Sequence, residues 1–165
     1  MTTTCAVCGS EHDPEALELG YRRPDAVLEL DEATRAASVF ENDDLCVIDA
    51  RRFFVRSTLP LPLTGRNDRY QIGVWVEVSP ADFDRIGKLW TDPAQAVEPP
   101  MSATLANEVR HHPNSLGQAL LLQLMGPTTR PQVFVLDPTF SLGSEQRHGI
   151  TPHRASEYSA GLKSA

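Results

Sequence analysis

The sequence predicts an α+β fold: a mostly antiparallel sheet of about five or six strands, three or four short helices and an N-terminal cysteine knuckle. Three observations carry this expectation. Short apolar runs, the best of them alternating with period two, recur between residues 45 and 137. Helical stripes with recognisable caps are interspersed with strand pairs, without the regular strand–helix alternation of a parallel sheet. And Cys5 and Cys8 stand two residues apart, followed at once by Gly9.

Taken in order, the segment after the cysteine turn is irregular to Arg23, punctuated by Pro14 and Gly20. Asp31 is a helix cap ahead of an alanine-rich stretch that predicts a short helix to about Phe40. Leu45 to Ala50 reads as a strand, a tight turn follows at Ala50–Arg51, and RRFFVRSTLPLPL is the second strand. Pro60 and Pro62 cannot donate ladder hydrogen bonds, which predicts that this end is a sheet edge. YQIGVWVEVS alternates most clearly, with Ile72, Val74, Val76 and Val78 on one face and Gly73, Trp75 and Glu77 on the other. These three strands form an antiparallel meander. Ser79, Pro80 and Asp82 then open a helix whose stripe is Phe83, Ile86, Leu89 and Trp90. Met101–Val109 fits either a strand or a helix, with strand the preferred reading, and GQALLLQLMG and PQVFVLD read as two more strands. Helices follow from Ser141 to His148, ended by Gly149, and from Thr151–Pro152 toward Tyr158.

The 165 residues suffice for one domain with a real core. That domain divides into a metal-knuckle segment (1–20), an α+β body (21–158) and a disordered tail (159–165). Fifteen basic and twenty-two acidic residues leave a net charge of −7, and no Lys/Arg stripe offsets it, which excludes nucleic acid as the expected partner. No apolar run approaches the ~20 residues of a membrane span. The expected location is the cytoplasm, and the odd count of three cysteines points to reduced thiols or a metal.

Two thiolates at the Cys5–Cys8 spacing reach one Zn²⁺, and Gly9 lets backbone amides turn toward sulfur. His12 is the nearest third ligand; Cys46, His148 and His153 are the alternatives for completing four. Free thiols and a redox dithiol are the competing readings, the latter lacking the strand before and helix after that lower a thiol pKa. Cys46 sits in an apolar strand and reads as a core residue, since a nucleophile would need a histidine partner. His111–His112–Pro113–Asn114 reads as a solvated loop, and Glu145–Gln146–Arg147–His148 as a charged helix end. Arg56 and Trp75 share the polar parity of the meander with Phe54 and Glu77. Such a face binds an anionic or planar ligand, or simply lies under a helix.

In order along the chain, CAVCGSEHD, GYRRPDAV, DDLCVIDARRFFVRSTLPLPL, GVWVEVS and EQRHGIT are similar to the bacterial domain-of-unknown-function family twenty-one ninety-nine, over roughly Cys5 to Arg154. The resemblance implies a single soluble bacterial domain and no particular reaction. It marks Cys5, Cys8, His12, Cys46, Arg56, Trp75, Glu145 and Gln146 as motif positions without roles. The family's pattern carries a histidine where this chain has Phe140, so a fourth metal ligand must come from elsewhere if that histidine binds metal.

The leading expectation is a non-enzymatic binding or regulatory module, with another protein as the candidate partner and a structural zinc knuckle. The alternative is a thiol- or zinc-dependent hydrolase using Cys46 or an open metal position. An N-terminal segment this poor in apolar residues needs a metal to offset its chain entropy. Elemental analysis of chelator-free protein should therefore return stoichiometric zinc, and Cys5→Ser should release it. Affinity should fall as pH drops below neutrality, because the thiols must ionise to bind.

Overall fold

The computed structural model describes residues 18–162, together with the backbone of two short strands before them. Those strands, β1 (Thr3–Thr4) and β2 (Glu11–His12), pair antiparallel, with Thr3 opposite His12. Cys5 and Cys8 lie outside the described residues, as does the predicted knuckle.

The body is a seven-stranded sheet: β3 (Val39–Glu41), β4 (Leu45–Ile48), β5 (Arg52–Pro62), β6 (Arg69–Val78), β7 (Met101–Leu105), β8 (Ala119–Gln123) and β9 (Gln132–Val135). Neighbours in sequence are neighbours in space, and all these pairings are antiparallel. One further pairing changes the architecture. Thr58 of β5 meets Gln132 of β9 in parallel, closing β5–β9 into a five-stranded barrel, with β3 and β4 continuing the sheet outside it. The expected open sheet is corrected to a barrel with extra strands. Strands β4 to β9 fall close to the predicted segments, although β7 stops at Leu105, whereas β3 replaces the end of the helix expected to reach Phe40.

Alternation explains the interior. Val55, Leu59 and Leu61 of β5 sit opposite Val76, Ile72 and Tyr70 of β6, all buried. Met101, Ala103 and Leu105 alternate with exposed residues on β7, and Leu120, Leu122, Val133 and Val135 complete the lining. The 4-to-5 turn uses Asp49 and Ala50, both left-handed at φ 54° and 52°, which suits the twist of a tight hairpin.

Among the described residues five α-helices dress this sheet, one more than the expected upper number: α1 (Asp25–Leu28), α2 (Glu32–Ser38), α3 (Pro80–Leu89), α4 (Ser141–His148) and α5 (Pro152–Ser159). The caps at Asp31, Ser79 and Thr151 each accept the backbone N–H three residues on, as their sequences predict. Helix α3 sends Ile86 into the main core and sets Phe83 against Phe53, with ring centroids 5.0 Å apart. On the outer face of β4–β6, a second small core forms from Val27, Cys46, Ile48, Phe54, Trp75 and Ala106. The segment around α1, which carries no strong helical signal in sequence, covers it.

The predicted edge at Pro60 and Pro62 is not an edge. Thr58 N–H donates to the Pro131 carbonyl, and beyond it the prolines have no N–H to zip against β9. Helix α4 fills the seam instead. Gln146 Nε2 donates to the carbonyls of Val133 (2.9 Å) and Pro60 (3.3 Å), while its Oε1 accepts from Val135 N–H (2.8 Å). Ile150 N–H then donates to the Pro62 carbonyl at 2.8 Å. Two glycines allow this approach. A Cβ on Gly143 would lie 2.3 Å from the Asp137 carbonyl oxygen, and Gly149 has φ +86° with Pro62 O 2.9 Å from its missing Cβ. Gly143→Ala should lower stability by at least about 1–3 kcal/mol, read as a drop in thermal midpoint. Gly87→Ala, where no atom lies within 4 Å of the added methyl, is the control and should not destabilise.

Candidate functional site

Two polar constellations stand out, one of them legible in the sequence. On the outer face of the barrel, Arg56 and Trp75 are register partners across β5 and β6. The Arg56 guanidinium carbon lies 5.9 Å from the Trp75 ring centroid. Trp75 is buried beneath the α1 segment, donating Nε1–H to the Tyr21 carbonyl, so it lines no open pocket. Its backbone N–H donates to buried Asn107, whose amide in turn donates to Arg23 O and Asp25 Oδ1.

Arg56 is the unusual member. Its Nη1 donates to the Asp43 carbonyl, its Nε is buried with no hydrogen-bond partner, and among the described residues no carboxylate forms an ion pair with it. Burial, followed by the nearby Arg130 charge, pushes its pKa down. Arg130 itself pairs with Asp44 at 2.9 Å. Two residues along the same face of β5, Thr58 lines a cleft of about 470 Å³ whose other walls include Asp44, Trp90, Gln95, Thr128 and Arg130.

Cys46 lies on this same outer face, opposite Phe54, and is buried. Burial, with the Glu41 charge adding to it, pushes the thiol up to about 11. That is the reverse of an activated nucleophile. His148 is exposed and His153 half-buried beside Glu157. Among the described residues no group of three or more His, Cys, Asp or Glu side chains is placed to hold a metal.

The second constellation departs from the sequence expectation. His112, predicted in a solvated loop, is only 1% exposed. The loop between β7 and β8 delivers it inward: His111 and Asn114 are left-handed (φ 70° and 67°), and Glu108 ties the loop by accepting from Ser115 N–H, Ser115 Oγ–H and Leu116 N–H. His112 Nδ1 lies 2.6 Å from Ser141 Oγ, and Nε2 lies 2.5 Å from the Tyr158 hydroxyl and 3.2 Å from Glu145 Oε2. Tyr158 donates to Glu145, and Arg154 Nε donates to Glu145 Oε1 at 2.7 Å. The Tyr158 ring stacks between Tyr70 and His112, with centroids 5.7 and 5.9 Å away. Phe140 closes the other side of His112 at 6.3 Å.

Glu145 and Gln146, neighbours in sequence, thus serve different places: one this network, the other the barrel seam. The helix-end reading of Glu145 is corrected accordingly. The only sequence signal for the network was the polar crowding of His111–His112 and Glu145; nothing local pairs them.

The comparisons bear on the whole chain. A family model described as an uncharacterized protein conserved in bacteria, DUF2199, matches residues 4–150. The chain belongs to this family. No curated protein and no solved structure matches it. The DUF2199 match spans the barrel, both constellations' strands and α4, and ends at Ile150, just before the α5 residues Arg154 and Tyr158 that complete the network. Among the described residues, no helix is long and apolar enough to cross a membrane.

Burial pushes the Glu145 carboxyl up, but hydrogen bonds from His112, Tyr158 and Arg154 outweigh it and hold the pKa at about 2. A depressed carboxylate pKa stabilises the fold above the unfolded value near 4.5 and is lost as pH falls toward 2. Thermal midpoints of wild type and Glu145→Gln should therefore differ most above pH 5 and converge as pH falls through that window. The gap near neutrality should be on the order of 2 kcal/mol.

Proposed function

We propose that this member of DUF2199 is a binding module that takes a small anionic ligand in the cleft beside Arg56 and Arg130. The observation that carries this reading is the state of Arg56, a partly buried cation with no carboxylate ion-pair partner among the described residues and an idle Nε. Lost water and the nearby Arg130 and Arg22 charges all penalise its charge and outweigh the favourable fields of Asp44 and Asp43. An anion between Arg56 and Arg130 offsets these penalties, and charge-assisted hydrogen bonds to guanidinium are the strong kind. The cleft volume lies in the range of small-molecule sites, and Trp90 supplies an aromatic wall.

The N-terminal cysteines are part of this proposal as a structural zinc knuckle, with Cys5, Cys8 and His12 as ligands. Support comes from the thiol spacing and from the strand pairing that sets His12 opposite Thr3, two residues before Cys5. The metal orders the terminus and takes no part in ligand binding. Burial and the raised thiol pKa disfavour the alternative of a Cys46 hydrolase.

Both tryptophans of the chain stand near the proposed ligand, Trp90 in the cleft wall and Trp75 beside Arg56. Titration with sulfate, phosphate and pyrophosphate should therefore change tryptophan fluorescence in a saturable way. Arg56→Ala or Arg130→Ala should weaken binding by about 10- to 100-fold, the loss of one or two charge-assisted bonds. Calorimetry showing no heat and fluorescence showing no change for all three anions would retire the reading.

A further inference from the structure

The His112 network is separate from the cleft, and its proton arrangement can be worked out atom by atom. The Tyr158 hydroxyl spends its one hydrogen on Glu145, so its oxygen can only accept from a third group. Glu145, salt-bridged to Arg154, is a carboxylate and also only accepts. His112 Nε2 faces both of these acceptors and therefore bears the ring hydrogen. In the neutral ring, Nδ1 is left with its lone pair, directed at Ser141 Oγ 2.6 Å away. Ser141 thus donates its hydroxyl proton to a base that a carboxylate and a phenol orient from behind. Nucleophile, base and orienting acid stand in the order that activates a serine, with the two ring nitrogens exchanging the roles they have in the serine-protease triad.

Access is consistent with this chemistry. His112 is buried and Ser141 is exposed, so a substrate can approach the hydroxyl from solvent while the base stays dry. Ser141 opens α4, and the preceding residue, Phe140, offers no side-chain cap. The first-turn N–H groups of an α-helix have no intrahelical acceptor, and Ser141 stands at that end of α4.

We propose that Ser141 is a nucleophile that takes the acyl group of small esters, with His112 as its base. Oγ attacks the ester carbonyl carbon while its proton passes to His112 Nδ1. The bond to the leaving oxygen breaks, and the imidazolium returns the proton to it, releasing the alcohol. Water then gives a proton to Nδ1 and attacks the acyl carbon; the Oγ–carbon bond breaks, Oγ recovers the proton, and a carboxylic acid leaves. Ester and water become acid and alcohol, with no other reagent. Ser141 is an exposed residue at the start of α4, which suits small esters that reach it from solvent.

The test uses the full chain with p-nitrophenyl acetate and a fluorophosphonate probe. Wild type should be labelled, with peptide mapping placing the adduct on Ser141, and should release p-nitrophenol. Ser141→Ala should retain the wild-type thermal midpoint to within a few degrees and lose both signals by at least about 100-fold. Labelling that persists in Ser141→Ala, or a folded wild type that neither reagent modifies, overturns the proposal. Neither readout involves an added anion, so this proposal and the cleft reading fail separately.

Discussion

The closure of the barrel between β5 and β9 is the constraint on which the rest of the molecule depends. A five-stranded sheet that ended at β9 would leave two edges of unpaired backbone, and Pro60 and Pro62 make backbone zipping of this seam impossible beyond Thr58. The chain solves the problem with a helix. Gln146 bridges β9 and β5 with three side-chain bonds, and Ile150 continues the seam to Pro62. Side-chain amides substitute for a ladder that proline forbids.

Because α4 must lie against that seam, its opposite flank is also positioned. Glu145 faces away from the barrel closure and becomes the hub for His112, Tyr158 and Arg154. Helix α5 is held by the same hub and by Arg110, whose Nη1 donates to the carbonyls of Tyr158 and Ala160 at the end of that helix. The loop from β7 to β8 is thereby pinned at both ends, by Asn107 and Asp25 on one side and by His112 on the other. One helix connects barrel closure, loop placement and the polarity of a buried site.

The outer face follows a different logic. Period-two alternation that fills the barrel interior necessarily sends Cys46, Phe54, Arg56, Trp75 and Glu77 to the other side. Most of that face is buried under the α1 segment, and Glu77 is satisfied by Arg52 at 2.8–3.0 Å. Arg56 lies beside Trp75 on this face, two residues before Thr58, which lines the cleft. Its incomplete pairing is a consequence of position, and it is the feature that distinguishes this face from an ordinary packed one.

Much of the fold was legible in the sequence because its signals are local. Alternation located β5 and β6, short apolar runs located β4, β8 and β9, and caps at Asp31, Ser79 and Thr151 set helix starts within a residue or two. Register made Arg56 and Trp75 partners, as their shared parity implies. Barrel closure was not legible, since it is a single parallel contact between residues 58 and 132, and the prolines argued locally for an edge. The burial of His112 was hidden for the same reason: its partners Ser141, Glu145 and Tyr158 lie 29 to 46 residues away. The α1 segment was missed because a four-residue helix has too little periodicity to read. The sequence by itself determined which residues face the core and where elements begin, because side-chain period and capping act over a few residues. Only the tertiary structure decided that the sheet closes and that a loop histidine is buried in a polar network, because both depend on groups that the chain brings together from far apart.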